Sequence, residues 1–194
     1  AEALAANTTG TRNTAIGTYS LDANTTADNN VSIGYAALSS NTNGSPNTAV
    51  GTYTLVLNTT GVRNTAVGYY TLYNNTTGTN NSAFGDSSLA NNETASNNSG
   101  FGYNTLSANT TGYSNAAVGA YALDANTTGT ANNGFGHDAL GANTEGNDNV
   151  AAGYQALAAN TTGDSNTALG HKALLNNTTA DYNTAVGRYT MGVN

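Results

Sequence analysis

A glycine returns every seventeen residues along this chain, at Gly17, Gly34, Gly51, Gly68, Gly85, Gly102, Gly119, Gly136, Gly153, Gly170 and Gly187, and no insertion breaks the series. Read from its leading asparagine, each unit follows N-T-T-G-x-x-N-T-A-h-G-x-x-A-L-x-A, where h is Val, Ile, Phe, Leu or Ala. Eleven units run through 7–23, 24–40, 41–57, 58–74, 75–91, 92–108, 109–125, 126–142, 143–159, 160–176 and 177–193. A fixed short period gives one structural turn per unit, each stacked on its neighbours, so the expected object is a rod and a single continuous domain. Residues 1–6 read as the tail of an earlier unit and Asn194 as the leading asparagine of a twelfth. The expectation is a stretch of a longer array.

Seventeen residues are too few for a helical hairpin with a buried stripe. Gly and Asn at fixed places, with short runs of Val, Ile and Phe, suit brief strands joined by tight corners. The expected fold is therefore all-β, a parallel β-solenoid of eleven seventeen-residue turns. One strand is placed near N-T-A-h-G, a corner at the glycine, a second strand near x-x-A-L, and a loop through N-T-T-G. Turns stacked at ~4.8 Å make a rod of roughly 50 Å.

Stacking in register places identical side chains above one another. The leading asparagine is kept in every copy, as is the second one, so two asparagine ladders are expected: Asn24, Asn41, Asn58 and Asn75 in one, Asn30, Asn47, Asn64 and Asn81 in the other. An amide donates to one neighbour and accepts from the next, which suits such columns. Leucine stands four residues after each glycine, from Leu21 to Leu174, and gives way only to Met191. If leucine and the h residue are the buried pair, each contributes about 1.5–3 kcal/mol. That core is thin, and lateral association is expected to supplement it.

The residues two before each glycine and just before each leucine never exceed threonine in size; Ala117, Ala151, Ser20 and Thr54 are examples. By strand alternation they point away from an inward-facing h residue. Outward small ranks suit close approach of another chain, and a trimer through them is the expectation; a tight internal corner is the alternative.

The chain carries four basic and eleven acidic residues, a net charge of −7, and no cysteine. Scattered Arg12, Arg63, Lys172 and Arg188 offer no patch for nucleic-acid phosphates. No apolar run approaches the ~20 residues of a membrane helix. His137 and His171 stand two turns apart without partners spaced for metal or nucleophilic chemistry. No metal, cofactor or enzymatic activity is expected, and the composition is compatible with the exterior of a cell.

The units N-V-S-I-G (30–34), N-T-A-V-G (47–51) and N-V-A-A-G (149–153) resemble the head repeats of trimeric autotransporter adhesins. The N-T-A-h-G-x-x-A-L repeats also resemble arrays in phage tail fibres and large bacterial surface proteins. The resemblance spans nearly the whole chain, with a longer unit and an added N-T-T-G loop. It implies a left-handed β-roll, a trimer, and a cell-surface or virion fibre.

Four groups of residues are candidate sites. Sequons N-x-T place candidate N-glycans at Asn7, Asn24, Asn58, Asn75, Asn92, Asn109, Asn126, Asn160 and Asn177, although Asn41 and Asn143 keep the asparagine where the sequon is lost. Tyr19, Tyr35, Tyr53, Tyr69, Tyr70, Tyr103, Tyr121, Tyr154 and Tyr189 follow the glycines and form a candidate ligand edge for sugars. The threonine after the leading asparagine forms a rank broken only by Glu93, of the kind that matches ice. Asp164 and Asp181 occupy equivalent places in adjacent turns, where a cation would relieve their repulsion. The functional expectation is a structural segment of an extracellular fibre or adhesin, with a glycan- or ice-binding module as the alternative.

Overall fold

The threonine–alanine–h segment before each glycine forms a strand, extended to the preceding asparagine in two turns, as β-branched residues on a half-buried surface favour. A computed structural model describes residues 2–191; Asn194, and with it the start of a twelfth unit, lies outside them. Eleven strands of three or four residues run from β1 (Thr14–Ile16) to β11 (Thr184–Val186). Each pairs with the next in a single parallel sheet. The register is one whole repeat, with Asn47 opposite Asn64 and Val50 opposite Val67. Among the described residues there is no helix. The chain is a parallel β-solenoid.

All eleven corner glycines hold φ between 120° and 140°, a region closed to residues with a Cβ. Past the corner the expected second strand does not form. Residues two and four after the glycine instead adopt left-handed backbone, as in Tyr53 at 57° and Leu55 at 52°. The burial pattern gives the reason. Thr54 and Leu55 are adjacent and both fully buried, whereas neighbours in a strand point to opposite faces. Left-handed residues re-aim the chain so that both enter the coil. Bonding between turns continues regardless: the Tyr53 N–H donates to Tyr35 O (3.0 Å) and the Leu55 N–H to Thr71 O (3.0 Å).

The interior reverses one expectation. Ala49, Ala66, Ala83, Ala117, Ala151 and Ala168, two residues before their glycines, are fully buried, as are the residues preceding each leucine from Ser20 to Ala173. The h residues face outward instead, Phe101 being 40% and Val118 41% exposed. The cause is the width of the coil. The leucine column reaches across it from the far side: a Cβ placed on Gly134 would touch the Leu123 side chain at 3.5 Å. A methyl group fills the remaining space, or at Ser32 a hydroxymethyl whose oxygen bonds to Ser20 Oγ and Ala37 O, and close packing leaves no room for a valine or phenylalanine. The trimer contact expected at the small ranks is thus excluded at those positions. Replacing Ala117 or Ala151 by glutamine would disrupt the coil itself.

Candidate functional site

The two asparagine columns form inside the coil. Each leading asparagine donates one amide hydrogen to the Oδ1 of its counterpart a turn earlier, at 2.8 Å for Asn58 on Asn41 and for Asn75 on Asn58. Its other hydrogen goes to a backbone carbonyl three residues on, as from Asn58 to Gly61 O at 3.1 Å. The second asparagine works differently. Its backbone N–H donates to the side-chain oxygen of the previous turn, Asn47 to Asn30 at 2.8 Å. Its side-chain amide reaches forward to the next N-T-T-G carbonyl, Asn47 to Gly61 O at 2.8 Å. The Gly61 carbonyl therefore accepts from both columns and joins them. Full burial of these amides is tolerable because their hydrogens have partners.

This arrangement removes the folded coil as a glycan acceptor at most sequons. Asn24, Asn58, Asn75, Asn92, Asn109, Asn126 and Asn160 are fully buried, and Asn177 is nearly so. A sugar on Nδ2 would displace a hydrogen already donated inside the rod. Asn7, half-buried at the first turn, donates to Gly10 O at 3.1 Å and accepts from Asn24. The strict retention of Asn41 and Asn143 follows from the same geometry, since each carries a rung of the ladder.

The threonine rank is also turned to internal use. Thr59, Thr110 and Thr127 donate their hydroxyl hydrogens to the carbonyls of Thr76, Thr127 and Thr144 one turn on, at 3.0–3.1 Å. The acidic pair is accounted for by backbone donors. Asp181 accepts from the Asp164 N–H at 2.7 Å, and Asp164 from the Asn147 N–H at 2.6 Å. Asp28 repeats the device: the Thr11 N–H and hydroxyl hold its carboxyl below the usual range, with Arg12 a further contribution.

Outside the coil, the tyrosines do stack along one edge, in two runs. Tyr19, Tyr35, Tyr53, Tyr69 and Tyr70 continue to Tyr73, with centroids 4.4–6.5 Å apart. Asp86 and Ser87 occupy the next turn and separate this run from the second. The second contains Tyr103, Tyr121, His137, Tyr154, His171 and Tyr189, at 5.1–5.8 Å. The histidines and Tyr73 were not among the expected members. His137 and His171 sit at the same repeat position as Tyr35 and Tyr103, so the period itself marked them. Lys172 lies over Tyr154 and Tyr189, each at 5.9 Å. Beside this run, partial burial and the nearby Asp138 raise the Asp124 carboxyl above its ordinary value.

The second external feature is the outward face of the sheet. Its column of h residues runs Ile16, Ile33, Val50, Val67, Phe84, Phe101, Val118, Phe135, Ala152, Leu169 and Val186, apolar in every turn. Phe84 and Phe101 stack face to face at 4.9 Å. No family model, curated protein or solved structure matches this chain. What the geometry defines is a class of architecture: a tandem-repeat β-solenoid held by buried asparagine ladders, with an aromatic edge and an apolar sheet face outside. Among the described residues no helix is long and apolar enough to cross a membrane.

Proposed function

We propose that this chain is a structural segment of an extracellular fibre or cell-surface filament, without catalytic activity, that associates with other copies and spaces or projects what it carries. The observation that supports this is continuity. The leading asparagines are bonded from turn to turn between Asn7 and Asn177 without a missing rung. A rod in which each turn satisfies the next gains length without changing its cross-section. Antibodies against the array, applied to intact source cells or virions, are expected to decorate filaments on the outside. Label found only after the cells are opened would overturn the reading.

The aromatic edge favours a second reading, in which the rod holds sugars along the tyrosine runs. Tyr19, Tyr35, Tyr103 and Tyr154 are each 43–47% exposed, leaving ring surface for a ligand. Aromatic contacts contribute about 0.5–1.5 kcal/mol apiece. Combined Tyr19→Ala, Tyr53→Ala and Tyr121→Ala changes should then weaken glycan binding by roughly tenfold or more. Unchanged binding on a glycan array, or none by the parent, removes this reading.

A further inference from the structure

We propose that the outward face of the eleven-stranded sheet is the contact surface for a second copy of this chain. The inference rests on the self-associating fibre reading and gives it a surface, in place of the small ranks that lie inside the coil. Two columns share this face of the same strands. In one, at Thr48, Thr65, Ser82, Ser99 and Asn133, polar residues are common. In the other, two residues on, all eleven positions are apolar. Strand preference does not explain the difference, because threonine and tyrosine are as favoured in strands as valine, and neither enters the second column. Packing along the column, as between Phe84 and Phe101, covers these side chains only in part: Phe101, Val118, Phe135 and Leu169 remain 38–45% exposed. A column that is held apolar while facing outward marks a surface from which water is to be excluded.

The period selects the occupant. Side chains recur every ~4.8 Å along the rod, and a partner that meets each of them in the same way must carry that spacing over the same length. A second copy does so by construction. Sheets packing face to face lie ~10 Å apart, within reach of valine and phenylalanine side chains from both sides. Four residues of strand and corner span about 12 Å and the array roughly 50 Å. The face therefore offers about 600 Å² per copy, at the lower end of stable interfaces. Neither outward column holds a charged residue, so burial leaves no ion unpaired.

Sedimentation or light scattering of the array over a range of concentrations tests this. The parent is expected to reach at least twice the 19.5 kDa mass of the chain as concentration rises, and to do so equally well in high salt. Phe101→Lys combined with Val118→Lys should return it to monomer while its circular dichroism and small-angle scattering remain those of a folded rod, since both side chains lie outside the coil, and its melt should fall by the contribution of the lost association. Thr128→Lys, on an exposed loop, should leave association intact. A parent that stays monomeric overturns the proposal, as does association that survives the two sheet-face lysines. A monomer retained on an insoluble polysaccharide through this face also overturns it, by giving the face to a sugar. The fibre reading fails separately, by the absence of a rod in small-angle scattering or of label on intact cells.

Discussion

Asn109→Asp is expected to be among the most damaging isosteric changes in the chain. Asn109 Nδ2 donates to Asn92 Oδ1 and to Gly112 O, each at 2.9 Å, while its Oδ1 accepts from Asn126 at 2.8 Å. An aspartate keeps the acceptor and replaces the two-hydrogen donor with an oxygen that faces two other oxygens. Burying a charge without a partner costs about 3–5 kcal/mol, a large share of the stability of a typical domain. The pH dependence follows from the same geometry. Burial raises the folded-state pKa of the new carboxyl above its unfolded value of about 3.9. Below that value the acid is neutral in both states and its O–H restores one of the two bonds. As pH rises through the folded-state pKa, that stability is lost. Thermal melts of variant and parent should therefore lie closest at acid pH and separate toward neutrality. Asn97→Asp, at an exposed position, should melt like the parent throughout. If Asn109→Asp does so too, the ladders do not hold the rod.

Two glycines in one repeat are expected to respond in opposite ways to the same change. At Gly136, φ is 138° and an added Cβ would lie 2.5 Å from Gly153 O and 2.7 Å from Gly153 C. Those are backbone atoms of the next turn, which cannot swing aside. Gly136→Ala thus combines a backbone strain of about 1–3 kcal/mol with a clash that must separate two turns. At Gly134 the nearest atoms to a new Cβ are Ala139 O at 3.1 Å and the Leu123 side chain at 3.5 Å. Alanine already occupies the equivalent place at Ala117 and Ala151. Gly134→Ala should be neutral or stabilising by up to about 1 kcal/mol, because it removes freedom from the unfolded chain. Comparing the two melts isolates the corner from the coil interior. Equal destabilisation would mean that the corner is not where the turn is fixed.

Local stability along the rod follows from its one-dimensional build. Each turn is bonded only to its neighbours, so damage at turn seven leaves two shorter stacks, and a split melting transition is the expected form of loss in Asn109→Asp.

The sites divide according to how much the repeat said about them. The position of His137 and His171 in the aromatic run was legible, because equivalent positions stack in register. Spacing along the chain isolates the two histidines, whereas stacking brings each beside the tyrosines one turn away. The buried state of the sequon asparagines was partly legible in Asn41 and Asn143, which hold the ladder where the sequon is absent. That both hydrogens of each amide are engaged depends on a carbonyl three residues on being turned inward, and no residue identity encodes that turn.

The period, the corner glycines, the parallel stacking and the two asparagine columns were determined by the sequence alone. Each follows from placing like residues over like at a fixed interval, which needs no knowledge of the cross-section. The tertiary structure decided which side of the strand faces in. Alternation states only that alanine and its bulkier neighbour point opposite ways, and size suggested that the bulkier one is buried. Inside the coil that choice competes with leucine arriving from the far side and with the second asparagine, which stands two residues before the alanine and points the same way. They fill the width until only a side chain as small as alanine or serine fits, so that residue turns inward and the valine, isoleucine and phenylalanine column faces outward.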